Sequence, residues 1–170
     1  MGSVIGIDPG VRATGYGVVE PRGSRLVTIT YGVVRSRPGD NLGDRLVRIF
    51  DSLVEVIDST GPHACAIETV FNAKNPRTSL ILGHARGVGI LAARSRGLRI
   101  FEYSPLEVKK AVVGWGRAEK HQVQDMVRLI LGIAEKVPQD AADALAVAVC
   151  HSNWFRPESA VGTRHAVPQG

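Results

Sequence analysis

Four carboxylates in this 170-residue chain stand where a charge is costly. Asp8 ends the run Ser3-Val4-Ile5-Gly6-Ile7, Glu68 closes Ala64-Cys65-Ala66-Ile67, and Asp140 and Asp143 open the apolar run from Ala141 to Val149. A lone carboxylate in low dielectric takes up a proton or destabilises the fold, so each of these needs a cation. No lysine or arginine is adjacent in sequence to any of the four. A hard, oxygen-seeking metal ion is therefore the expected partner, and ligation by carboxylates alone points to Mg2+ or Mn2+ rather than zinc.

The net charge of +5 is unevenly spread. Between Asn72 and Lys120 there are ten basic residues against three acidic ones, which marks a surface suited to phosphate. Carboxylate-held metals beside a basic surface are what phosphodiester chemistry requires. If the four acids converge, they can hold two divalent ions about 3.5–4 Å apart, one activating a water and one stabilising a departing 3′ oxygen. The products would be a 5′-phosphate and a 3′-hydroxyl, with no covalent intermediate.

Convergence has to come from the elements that carry the acids. Val4 to Asp8 reads as a short buried strand, followed by strands Thr14 to Glu20 and Arg25 to Val34 in a meander punctuated by Pro21-Arg22-Gly23-Ser24. Asn41 to Asp58 has helical apolar spacing and stops at Thr60-Gly61-Pro62. Ala64 to Glu68 is a strand, Pro76 to Arg96 a long helix, Leu98 to Tyr103 a strand, and Ser104-Pro105 opens a helix to Val113. Gly114-Trp115-Gly116 breaks it, Glu119 to Leu131 resumes, and Pro138 to Trp154 is the last helix, its alanines allowing close packing on a sheet. The order predicts an α/β fold, with a five-stranded mixed sheet, antiparallel in one half and parallel in the other, flanked by helices. A strand's C-terminal end points its carboxylate into the crevice there, and residues three apart at a helix start share a turn and a favourable dipole.

One domain over residues 1–155 and a disordered tail over 156–170 complete the expected organisation. No apolar run approaches the roughly 20 residues of a membrane span, and the N-terminus lacks a secretory pattern. A cytoplasmic protein, without membrane association, is expected. Cys65 and Cys150 read as buried thiols rather than a disulfide. His84 and His121 lack companions at ligand spacing and read as packing or surface residues, while Trp115 suits either a core plug or a surface contact.

Several ordered segments resemble the RuvC family of bacterial Holliday junction resolvases. They are Gly6-Ile7-Asp8-Pro9-Gly10 with Thr14-Gly15-Tyr16-Gly17, Ile67-Glu68-Thr69-Val70-Phe71 with Asn72-Ala73-Lys74-Asn75, Tyr103-Ser104-Pro105 with Val108-Lys109, Val113-Gly114 with Ala118-Glu119-Lys120, and Asp140 to Ala146. The resemblance implies an RNase H-like fold, a homodimer, Mg2+-dependent symmetric nicking of opposed strands at a four-way DNA junction, and partnership with the branch-migration proteins RuvA and RuvB. By position, Asp8, Glu68, Asp140 and Asp143 match the metal-binding catalytic acids. Some members carry histidine in place of Asp140, which leaves that residue either a ligand or a proton shuttle. Phe71 matches an aromatic that stacks on a base, and Lys109 and Lys120 match basic residues near the scissile backbone. Asn72, Lys74 and Arg77 complete the expected nucleic-acid contacts. The helix Pro76 to Arg96 corresponds to the dimer contact, with Gly83, Ala85, Gly87 and Gly89 permitting close approach.

Three other readings compete. The Ile5 to Gly10 segment also resembles the first phosphate loop of actin-like ATPases, but these need a second lobe that 170 residues do not hold. An RNase H-like nuclease acting on RNA, as in the YqgF family, would lack the Phe71 loop and the Lys109 to Lys120 arrangement. A junction-binding protein without catalysis would not need all four acids.

Overall fold

The computed structural model describes residues 2–69 and 76–154. Five strands form one sheet in the order β3-β2-β1-β4-β5. Strands β1 (Val4–Asp8), β2 (Ala13–Arg22) and β3 (Arg25–Arg35) pair antiparallel, while β4 (Ala64–Glu68) and β5 (Arg99–Tyr103) extend the sheet in parallel from β1. The expected mixed sheet is thus present. The β2–β3 hairpin runs farther toward its Gly23 turn than the apolar pattern indicated, because backbone pairing continues through the polar positions Glu20 to Arg22.

Helix α1 (Leu42–Thr60) is started by Asn41, whose side chain accepts from the Asp44 N–H, and is stopped by Gly61 in the left-handed region at φ 55°. Helices α2 (Pro76–Ser95), α3 (Pro105–Val113), α4 (Lys120–Leu131) and α5 (Gln139–Trp154) follow. Side-chain alternation divides the interior into two cores. Ile5, Ile7, Cys65 and Ile67 pack against Leu53 of α1 and Ala85 of α2. On the opposite face Val4, Val19 and Ala66 meet Leu145 of α5, with Val108 and Val127 of α3 and α4 beyond.

Sandwiched between sheet and outer helices, α5 is buried without a break from Ala144 to Ser152. Its alanines keep it thin, and the sheet beneath it is thinned as well. A Cβ on Gly6 would fall 2.1 Å from the Ala144 carbonyl oxygen, so only glycine lets the helix sit this close. Truncating Leu145, the largest fully buried side chain of this helix, would cost about 2–5 kcal/mol.

Candidate active site

The first two acids are brought together by register. Val4 to Ile7 pair with Ala64 to Ile67 in parallel, so Asp8 and Glu68 end neighbouring strands at the same edge. Val4 and Ala66 both belong to the core under α5, and the period-two alternation carries Asp8 and Glu68 to that same face. Behind Asp8 the chain is folded tightly: the buried Thr14 hydroxyl donates to the Gly10 carbonyl at 2.6 Å and accepts from the Gly10 N–H at 3.3 Å. Behind Glu68, the Tyr103 carbonyl accepts from both the Thr69 N–H at 2.8 Å and the Thr69 hydroxyl at 3.2 Å.

The other two acids arrive on α5. Gly15, the register partner of Asp8, lies under the first turn of this helix, where a Cβ would be 1.9 Å from the Asp140 carbonyl oxygen. Asp140 and Asp143 therefore stand over the strand end that bears Asp8. The four acids share one electrostatic environment. Burial is the main cause that pushes the Asp8 carboxyl up to about 7, and the charges of Asp143 and Glu68 add to it. Glu68 is raised by burial and by Asp143, and Asp143 by burial against the lowering pull of Lys120.

Although no cation is adjacent in sequence, the fold supplies one. Lys120, at the start of α4, puts its Nζ 2.6 Å from Asp143 Oδ2. Burial works to lower the Lys120 pKa, and the bond and charge of Asp143 outweigh it, leaving the ammonium firmly charged. Lys109, half-buried on α3, acts electrostatically on Glu68. Gln124 also hydrogen-bonds Asp143, a partner not anticipated from the sequence. Its signal was available, since it lies one helical turn after Lys120 on the same face.

Another unanticipated pair braces the site from below. The Tyr103 hydroxyl and His151 Nδ1 are 2.8 Å apart in a buried contact, joining the end of β5 to α5. Phe101 lies against the same imidazole with ring centroids 4.5 Å apart. Burial drives the His151 pKa down to about 4, so the ring is neutral.

The remaining expectations divide. Arg77 is exposed in the first turn of α2, while Phe71, Asn72 and Lys74 lie outside the described residues, as does the tail 156–170. Gly83 and Gly87 face open space on α2, but Ala85 and Gly89 do not belong to that surface. Ala85 is fully buried and Gly89 lies over Ile7 and Ile67, because these positions form the stripe that docks α2 on the sheet. His84 and His121 are exposed surface residues, and Trp115 is also on the surface. Cys65 and Cys150 are buried free thiols.

Among the described residues no three His, Cys, Asp or Glu side chains already close around a point as an ion cage. The donor chemistry nevertheless fits a hard divalent cation: the acids repel one another and have Lys120 as their bonded counter-charge, which leaves excess negative charge on oxygen donors for such a cation to neutralise. No helix among the described residues is long and apolar enough to cross a membrane.

The sequence model of the family described as Crossover junction endodeoxyribonuclease RuvC matches residues 4–151. The chain is 49% identical over 152 residues to the crossover junction endodeoxyribonuclease RuvC of Syntrophotalea carbinolica, a match covering 89% of this chain and 94% of that one. It is 50% identical over 153 residues to the RuvC of Trichlorobacter lovleyi, covering 90% and 86%. The solved structure of T. thermophilus RuvC in complex with Holliday junction substrate superposes with a TM-score of 0.85 at 35% identity, over 91% of this chain and 94% of that one. The sheet and its flanking helices are thus the RNase H-like arrangement expected from the sequence.

Proposed function

Because the chain belongs to the RuvC family of crossover junction endodeoxyribonucleases, we propose that it resolves four-way DNA junctions by nicking two opposed strands, in homologous recombination and DNA repair. The observation that carries this reading is the joint placement of Asp8, Glu68, Asp140 and Asp143 at one sheet edge, with Lys120 on Asp143. A solved relative of the same fold holds a Holliday junction substrate, which supports DNA of that shape as the ligand here.

The four carboxylates would hold divalent metal, and their hard oxygen donors suit two Mg2+ ions, with Mn2+ able to substitute. Ions held there would supply Lewis acidity for activating a water and for stabilising a leaving 3′ oxygen. The protein's own part is positional and electrostatic. The paired strand ends fix Asp8 and Glu68, α5 fixes Asp140 and Asp143, and the glycines under α5 set the gap between the two sets. Lys120 holds Asp143 in place and puts positive charge where charge develops on the phosphoryl group, as Lys109 does beside Glu68. Phe71, Asn72, Lys74 and Arg77 are the proposed further contacts to the junction strands.

Cutting two strands calls for two such sites, and α2 offers the surface that would supply the second. Leu80 and Leu91 are 64% and 58% exposed, while Gly83 and Gly87 between them leave room for a close partner. We take the active form to be a homodimer through this face, working in the cytoplasm with RuvA and RuvB. The test is a substrate comparison: a mobile four-way junction, a linear duplex and a single strand, each with Mg2+ and with EDTA. Paired symmetric nicks in the junction with Mg2+ alone support the proposal, and equal cutting of duplex and junction overturns it.

A further inference from the structure

Between the two helices that deliver lysines to the acids runs a short turn, Gly114 to Glu119, carrying Trp115 at its tip. Trp115 is 49% exposed, so about half of the indole is open to solvent. The turn is held at both ends and in the middle. Gly114 takes the left-handed conformation at φ 89° and donates its N–H to the Lys110 carbonyl at 3.0 Å. Gly116 is pressed on α3 so closely that a Cβ there would fall 2.2 Å from Leu106 Cδ1, and Ala118 is buried. The indole therefore projects from a fixed base, which lowers the entropy lost when it meets a partner.

Its surroundings select the partner. Lys110 and Arg117 flank it, both exposed, and among the described residues neither forms an ion pair. The neighbouring carboxylates are already engaged. Glu107 closes the α3 capping box with Ser104, and the Glu119 carboxylate lies 3.3 Å from His121 Nδ1. An exposed aromatic between unpaired cations suits a nucleic acid strand, where the ring stacks on a base and the cations meet phosphates. The turn connects α3, where Lys109 acts on Glu68, to α4, where Lys120 bonds Asp143, so Trp115 lies on the segment that links the two lysines serving the acids.

We infer that the α3–α4 turn is a second DNA contact of this protein, with Trp115 a stacking platform for a nucleobase of the bound junction and Lys110 and Arg117 its phosphate anchors. The inference rests on the junction-nuclease reading and adds a contact that the acid cluster does not require. The chain has two tryptophans, and Trp154 is exposed at the end of α5, so Trp154→Phe leaves Trp115 as the sole indole.

In EDTA, so that nothing is cut, saturating that variant with an unlabelled four-way junction should quench most of its tryptophan emission. Trp115→Leu should weaken junction affinity about tenfold, the range expected for one lost base stack, whereas Trp115→Phe should stay within about threefold of the parent. Unchanged emission with the junction demonstrably bound in a mobility shift, or a leucine variant that binds as well as the parent, overturns the stacking contact and leaves the nuclease reading standing. Failure of the parent itself to prefer the junction over linear duplex overturns both.

Discussion

The α-carbon of Gly15 lies so close to the carbonyl oxygen of Asp140 that a methyl group at position 15 would sit 1.9 Å from it. Gly15 is also the strand partner of Asp8, so one missing side chain sets how near the α5 acids come to the strand acids. The clash would be with helix backbone rather than with the tip of a flexible side chain, so α5 itself has to move.

Gly15→Ala should therefore lower stability by about 1–3 kcal/mol, as overpacking does, and lower nicking at least tenfold. Thermal melting and single-turnover nicking would separate the two effects. A Gly15→Ala variant that nicks at the parent rate would show that the helix spacing does not set the site.

The acid cluster should weaken the metal-free fold as the pH rises. Burial first, then Asp143 and Glu68, lifts Asp8 to about 7 from 3.8, so the folded chain holds this proton more tightly than the unfolded one. Its contribution is full below about pH 4 and is lost as the pH climbs toward 7. His151 acts with the opposite sign: burial lowers it to about 4 from 6.5, so its contribution is present above 6.5 and lost as the pH falls toward 4. Urea melts in EDTA should thus find Asp8→Asn more stable than the parent at pH 8, with a smaller difference at pH 4. Millimolar Mg2+ should reduce the pH 8 gap by stabilising the parent. A gap independent of both pH and metal would contradict the assigned charge balance.

Lys120 should matter more to the chemical step than to binding. Lys120→Met removes the ammonium bonded to Asp143 and should lower single-turnover nicking by about 100-fold, while junction affinity changes only a few-fold. Lys120→Arg should recover part of the rate. Equal losses in affinity and rate would reduce Lys120 to an ordinary phosphate contact.

The outer face of α2 gives a prediction about assembly. Replacing exposed Leu80 and Leu91 by lysine should cost the protomer little, within about 0.5 kcal/mol for each surface change, yet shift sedimentation from dimer to monomer. Paired nicking should fall with it. A double variant that still sediments as a dimer would place the contact elsewhere.

Much of this architecture was legible in the chain because local rules and tertiary packing agree. Asn41 and Gly61 bracket α1, Ser104-Pro105 opens α3, and apolar runs with terminal acids mark β1 and β4. What the chain did not display are relations made by packing between distant segments. The Lys120–Asp143 bond depends on how α4 lies beside α5, and the Tyr103–His151 contact on where β5 ends beneath that helix. The two faces of α2 were unresolved for a related reason: its glycines and alanines look alike in sequence, and only the docking on Ile7 and Ile67 separates Gly89 from Gly87. Trp115 was ambiguous because flanking glycines permit either a buried or a projecting ring, and the folded chain leaves the ring at the surface.

The central claim is that the acids at this sheet edge cut the DNA that the rest of the surface binds. Asp8→Asn tests it most directly, assayed in parallel for binding to a four-way junction and for nicking in Mg2+. The variant should bind with affinity equal to or greater than that of the parent, since a repelling charge is gone, and its nicking should fall below detection. Retained nicking, or loss of binding together with nicking in a folded variant, would contradict the role assigned to Asp8.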